Sequence, residues 1–350
     1  MRKEWLVAVL LLLAGCGSNF EWFPKIETAD TTSPVVSAFI FHADSVSHVA
    51  TIDTFTATDN VAVTGFLVTE SATVPAATDS GWTTTPPTTF TFTTTGSLTL
   101  YAWAKDAAGN VSIAKSAGPV YTVEKSLAFP TGVAWVGDIA FHKSSSSFWL
   151  LAGTIGPPPN SLVKISATTG EIMQKVNAVS WPFSIVEGSS LAFDGNTFWI
   201  SSNGLDKFEI YQILSNGFYN ATYPCPATAT GFCQGLAWDG TNLWAAGSDN
   251  RNLVKFQTSA VSGALPVLAT FANLWSTNGI SDMGFDSSDP TAPNKLLVLK
   301  DGLITVNGTD GALLGSKSFP LPGTGKGDWD GSLFWVVDNT NKKLLGLSVK

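Results

Sequence analysis

Five polar residues, Asp138, Glu187, Gln234, Asp282 and Asp328, stand at or just ahead of five short apolar runs that resemble one another. Carboxylates and amides gathered in that number could hold a cation such as calcium, or a polyol, through several oxygens. The same side chains could equally cap turns or sit solvated at a rim. Material for catalysis is thin. The three histidines, His42, His48 and His142, are scattered, and the chain has no nucleophile elbow, no HExxH and no phosphate-binding loop. A hydrolase or lyase working with carboxylates alone would need a pair such as Glu187 and Asp282. Cys225 and Cys233 share one short loop, YPCPATATGFC, and a pair so placed outside the cytoplasm is expected to close as a disulfide, the other reading being two free thiols. Among the 13 tryptophans, Trp149, Trp199, Trp244 and Trp335 recur at one position and read as core. Trp181 and Trp275 fall outside that register and are the candidates for an exposed stacking platform.

The runs that must position these residues repeat. GLAWDGTNLWAAG, from Gly235 to Gly247, has counterparts beginning at Gly137, Ser189, Ser281 and Gly325, and the anchoring aromatics Phe141, Phe193, Trp238, Phe285 and Trp329 lie 52, 45, 47 and 44 residues apart. That period suits a four-stranded propeller blade rather than a helical solenoid. In each copy a short strand ends on the aromatic, a turn follows, usually Asp-Gly, and a second strand carries Phe-Trp or Leu-Trp. Asp194, Asp239 and Asp330 belong to those turns and read as structural. The residue before the aromatic is small in four copies, Ala140, Ala192, Ala237 and Gly284, as crowding between innermost strands would demand; the fifth copy has Asp328. The last copy runs out at Leu344-Leu345-Gly346-Leu347 without a fourth strand, while Ser126 to Trp135 supplies an orphan strand ahead of the first. Pairing the two would close a five-bladed ring over residues 126–350 and remove an open edge.

These repeats resemble the broad assemblage of glutamine cyclotransferase-like, gluconolactonase-like and NHL-like propellers. The resemblance lies in blade-forming residues, so it implies architecture and leaves activity open. The lyases and lactonases of that group use histidine or metal-binding carboxylate and asparagine sets that do not map onto this chain, which lowers the enzyme reading.

Residues 34–124 alternate in period two, as in Thr54-Phe55-Thr56-Ala57-Thr58 and Leu98-Thr99-Leu100-Tyr101-Ala102-Trp103, the pattern of half-buried antiparallel strands in a β-sandwich. ATDNVAVTGFLVTE and LYAWAKDAAGNVS are similar to bacterial Ig-like modules, which implies a spacer or adhesion role. Asp59 and Asp106 are read as turn caps; calcium would need a cluster of oxygens, and two distant aspartates do not make one. Residues 16–33 have no period and read as a tether.

Only 13% of the 350 residues are charged and the net charge is −8, with no basic face to serve nucleic acid. Arg2 and Lys3 precede an apolar run, Leu6 to Leu13, that is short for a membrane span. It ends in Leu13-Ala14-Gly15-Cys16, which resembles a bacterial lipoprotein lipobox. The resemblance implies removal of residues 1–15, lipidation of Cys16 and anchorage without a spanning helix. Gly17 in place of Asp favours the outer membrane in a Gram-negative host. The expected protein is all-β, an Ig-like β-sandwich followed by a five-bladed β-propeller that binds a protein or glycan partner, the rival being an extracytoplasmic enzyme of hydrolase, lactonase or lyase type acting at the channel mouth.

Overall fold

A computed structural model describes residues 29–93, 98–153, 161–178, 181–185, 189–202, 209–225, 233–247, 252–259, 263–271, 282–286, 295–299, 302–307, 313–318 and 325–349. Cys16, Glu187 and Trp275 lie outside the described residues. The chain is all-β. Its described regular structure is strand apart from one short 3-10 turn, Lys143–Ser145, and none of it is a helix long and apolar enough to cross a membrane.

The N-terminal module has two sheets. Val35–Asp44 pairs with Val49–Thr58, which pairs with Thr89–Thr91; the second sheet joins Gly65–Thr69, Leu100–Lys105 and Lys115–Ala117. Alternation decides which faces meet. Along Val49–Thr58, Ala50, Ile52 and Phe55 are buried while Thr51, Thr56 and Thr58 are exposed. The inward set, with Phe39, Phe41, Leu100, Ala102 and Ala104, makes one core.

The rest of the chain builds four-stranded antiparallel sheets in sequence order. Unit 1 is Trp135–His142, Ser147–Gly153, Ser161–Ser166 and Ile172–Asn177; unit 2 is Ser190–Phe193, Thr197–Ser202, Glu209–Leu214 and Tyr219–Pro224. Unit 3 is Cys233–Trp238, Leu243–Gly247, Leu253–Phe256 and Val267–Phe271; unit 4 is Asp282–Asp286, Lys295–Leu299, Gly302–Asn307 and Leu313–Ser318. Unit 5 supplies Gly327–Trp329, Phe334–Asp338 and Lys343–Val349. Its fourth strand comes from far upstream. Tyr121–Ala128 pairs antiparallel with Lys343–Val349, from Lys343 opposite Ala128 to Val349 opposite Tyr121. That strand starts five residues before Ser126, so a division between 124 and 126 falls inside it.

The first strand of each unit lies beside the first strand of the next, and Gly327–Trp329 comes back beside Trp135–His142. Apolar side chains fill every space between neighbours: Trp149, Phe193 and Phe198 between units 1 and 2, Trp199, Leu236 and Leu243 between 2 and 3, and Trp244, Met283 and Leu296 between 3 and 4. Leu297, Phe334 and Tyr121 fill the space between 4 and 5, and Trp335, Leu344 and Ile139 that between 5 and 1. Five interfaces thus bury the apolar faces that single sheets would expose. Cys225 and Cys233 form a disulfide that links the end of unit 2 to the start of unit 3.

Candidate functional site

Taking the anchoring aromatic of each unit as position zero aligns the five first strands. At the next position stand Asp194, Asp239 and Asp330 in units 2, 3 and 5. One oxygen of each accepts two backbone N–H groups of its own turn, at 2.6–2.9 Å, and the other accepts the indole N–H of Trp199, Trp244 or Trp335 at 3.0, 2.8 and 2.7 Å. The glycine that follows has φ of +100, +91 and +98°, a conformation that favours Gly. Burial works against ionisation of Asp239 and Asp330, but these donors outweigh it and hold both carboxyls below the usual range. Unit 1 breaks the pattern. His142 replaces the aspartate, its ring nitrogens engage Ser144 and Ser145, and the Trp149 indole nitrogen is buried with no partner.

All five anchoring aromatics line one cavity of about 390 Å³ at the end of the ring that carries these turns. Ala140, Ala192, Ala237 and Asp328, from the position before the aromatic, share its wall with His142, Lys143 and Ser144. The small residues leave the space open; Asp328 puts a carboxyl into it. Asp328 accepts the N–H of Phe141 from unit 1 at 2.7 Å and that of Trp329 at 2.8 Å. Burial pushes its pKa up to about 7 in spite of those bonds. Burial and the Lys164 charge lower that of His142, favouring neutral imidazole.

Three positions before the aromatic stand Asp138, Ser190, Gly235, Asp282 and Lys326, and this level is sealed. Asp138 and Asp282 are 0% exposed and Lys326 is 4% exposed. The innermost strands have no strand neighbour toward the axis, so their edge groups need side-chain partners. Asp138 accepts the N–H of Leu191 at 2.6 Å and Asp282 that of Gly327 at 2.8 Å, each reaching into the next unit. Ser190 donates to the Gln234 carbonyl, and the Lys326 ammonium donates to Ser190 Oγ and to the same carbonyl at 2.7 and 2.6 Å. Burial, then the Asp282 charge, drives the Asp138 carboxyl well above its ordinary range; burial raises Asp282 too, against the pull of Lys326.

The polar set read from the sequence therefore divides. Asp138 and Asp282 meet on the sealed level, and Asp328 faces the cavity two positions further along its strand. Gln234 contributes its main-chain carbonyl to the sealed level. Glu187 is outside the described residues. Trp181 is half-buried: it stacks on Phe183 at 5.2 Å and donates its indole N–H to the Gly217 carbonyl, so it is part of the packing between units 1 and 2. Ser190 and Lys326 were not singled out from the sequence. The signal that could have found them was the position three before each aromatic, read down all five copies.

No family model matches the chain, and no curated protein matches it. Solved structures do. A glutaminyl cyclase of Myxococcus xanthus is 9% identical, with a TM-score of 0.47 over 65% of this chain and 95% of that one. A nidogen/laminin complex is 14% identical, with a TM-score of 0.39 over 68% and 81%, and hydrazine synthase of Kuenenia stuttgartiensis is 12% identical, with a TM-score of 0.35 over 54% and 50%.

Proposed function

We propose that this chain is a lipid-anchored protein of the cell envelope in which an Ig-like sandwich spaces a five-bladed propeller from the membrane, and that the propeller binds a glycan in its aromatic cavity. One observation carries the binding role: five equivalent aromatics line a single cavity of about 390 Å³, together with Asp328 and the turn residues Asp194, Asp239 and Asp330, within the size range of small-molecule sites. Aromatic faces suit the C–H faces of sugar rings, and Asp328 offers a hydrogen-bond partner for a hydroxyl. The closing strand and the five filled interfaces support the five-bladed reading. The disulfide supports an extracytoplasmic site.

The test is to present oligosaccharides to the purified chain and to its Trp238→Ala and Phe285→Ala variants. A glycan bound by the native chain should lose about tenfold or more in affinity in the variants, as expected when a central aromatic contact is truncated. Binding that neither variant affects, or binding only of a protein at another surface, would overturn the cavity as the site. For the anchor, Cys16→Ala should abolish fatty-acid labelling and release the chain from membranes.

A second reading, an enzyme of hydrolase, lactonase or lyase type, draws support from Asp328, because a cavity carboxyl titrating near pH 7 is poised to give or take a proton. Turnover that follows an ionisation near 7 and disappears in Asp328→Asn while ligand is still bound would establish it.

A further inference from the structure

Far from the cavity, Asp30, Asp59 and Asp106 each bring a carboxylate oxygen to within 4.8 Å of the others. They come from separate places in the N-terminal module. Asp30 lies ahead of the first strand, Asp59 follows Val49–Thr58 in one sheet, and Asp106 follows Leu100–Lys105 in the other. Asp59 and Asp106, distant in sequence, are thus neighbours in space, and Asp30, from the aperiodic tether, makes the group a cluster.

Turn capping accounts for only part of their bonding capacity. Asp59 Oδ2 accepts the N–H groups of Val61 and Ala62 at 3.0 and 3.1 Å, and Asp106 Oδ1 accepts those of Gly109 and Asn110, both at 2.8 Å. Asp30 Oδ1 takes the Thr32 N–H at 3.0 Å and the Asn60 amide at 3.2 Å. Asp59 Oδ1 and Asp30 Oδ2 remain, each with less than 1 Å² of accessible surface and no hydrogen-bond partner. A buried carboxylate oxygen without a partner is costly, and two in one cluster cost more through their repulsion. Among the described residues the ion pairs are His42 with Asp53 and Lys255 with Asp239, neither of them at the cluster.

We propose that Asp30, Asp59 and Asp106 bind one Ca²⁺ ion. The donors available are all oxygen, which suits a hard cation and not zinc, and the cluster has neither histidine nor cysteine. Asn110 completes it. Its amide nitrogen bridges Asp106 Oδ2 at 2.6 Å and the Asp30 carbonyl at 2.9 Å, and a half-turn of the amide presents Oδ1 in its place. Three carboxylates, the Asp30 carbonyl and the Asn110 amide oxygen give five donors, and one to three waters bring the number into the six to eight that calcium takes. The bound ion ties the incoming chain to the ends of strands in both sheets, fixing the direction in which the tether leaves the module.

The experiment is calorimetric titration of the full-length chain in detergent, first stripped with chelator, with thermal unfolding measured alongside. One Ca²⁺ per chain is expected, with a Kd on the order of 10⁻⁴ to 10⁻³ M, as in extracellular modules, and a higher midpoint of unfolding in calcium. Asp59→Asn and Asp30→Asn should each weaken binding about tenfold or more, while Asp53→Asn in the same module should leave it unchanged. These variants keep an oxygen for the turn bonds, so they separate ion binding from folding. Absence of both heat and midpoint shift in the native chain would overturn the proposal. Equal binding by Asp30→Asn, Asp59→Asn and the native chain would do the same, as would an equal response to Mg²⁺.

Discussion

Asp239 uses two oxygens for four donors: the N–H groups of Thr241 and Asn242, the Trp244 indole and the Lys255 ammonium, the last at 3.0 Å. Asp239→Ala leaves a buried indole N–H and turn groups unpaired, and is expected to cost about 1–3 kcal/mol by urea unfolding. Asp53→Ala, on the exposed face of the sandwich, should cost much less. Asp328 acts in the opposite sense. Its carboxyl, ordinarily at 3.8, titrates in the fold at about 7, so the folded state binds a proton more tightly than the unfolded one. Its contribution is therefore most favourable below the lower value and is lost as pH rises from about 4 to about 7. Asp138 and Asp282, also raised, push the same way, whereas the depressed Asp239 and Asp330 withdraw stability as pH falls below 3.8. The midpoint of thermal unfolding should thus be highest in weak acid and decline toward neutrality, and Asp328→Asn should flatten that decline. A native profile that rises steadily from pH 5 to 8 would contradict the assignment.

Strands were legible where a period advertised them. The aromatics Phe141 to Trp329 and the Asp-Gly turns repeat because every unit meets the same packing problem, so their spacing reveals the units. What the repeat does not carry is which positions of different units meet at the axis. No other copy has a lysine at the position of Lys326, and its partners Ser190 and the Gln234 carbonyl are 136 and 92 residues away. Asp30 was hidden for the same reason, since the tether has no period and only the folded sandwich brings it to Asp59 and Asp106. The closing strand was legible in kind, but its start was not. Tyr121 and Val123 alternate with Thr122 much like the sandwich strands before them, so nothing local marks where the sandwich gives way. A chain beginning at residue 126 would lose the pairs of Tyr121, Thr122, Val123 and Lys125 with Val349, Ser348, Leu347 and Gly346, and with them Tyr121 from the core between units 4 and 5. Such a chain should unfold at lower temperature and aggregate through its bare edge, while one beginning at 119 should remain soluble, as size-exclusion chromatography and circular dichroism would show.

That shared strand determines how the molecule behaves as a whole. Tyr121–Ala128 is a strand of the ring, yet Thr122 and Val123 also pair in parallel with Ala43 and Asp44 of the sandwich. Ser45 N–H donates to the Val123 carbonyl at 3.0 Å and Val120 N–H to that of Phe41 at 2.9 Å. Glu124 joins the two parts through its side chain, one oxygen accepting from Ser45 of the sandwich at 3.1 Å and the other from Ser348 of the ring at 2.8 Å. His42 of the sandwich stacks on Tyr121 at 4.6 Å, and Tyr121 is itself buried in the ring. A flexible linker would let two modules melt apart, but here neither can release the strand without breaking hydrogen bonds to the other. The native chain should accordingly melt in a single calorimetric transition whose van't Hoff and calorimetric enthalpies agree. Two resolved transitions would mean that the contacts of Val120, Val123 and Glu124 are too weak to couple the modules. With one transition, anything that stabilises the sandwich raises the temperature at which the ring opens. Calcium at Asp30, Asp59 and Asp106 would then protect the cavity from the other end of the molecule.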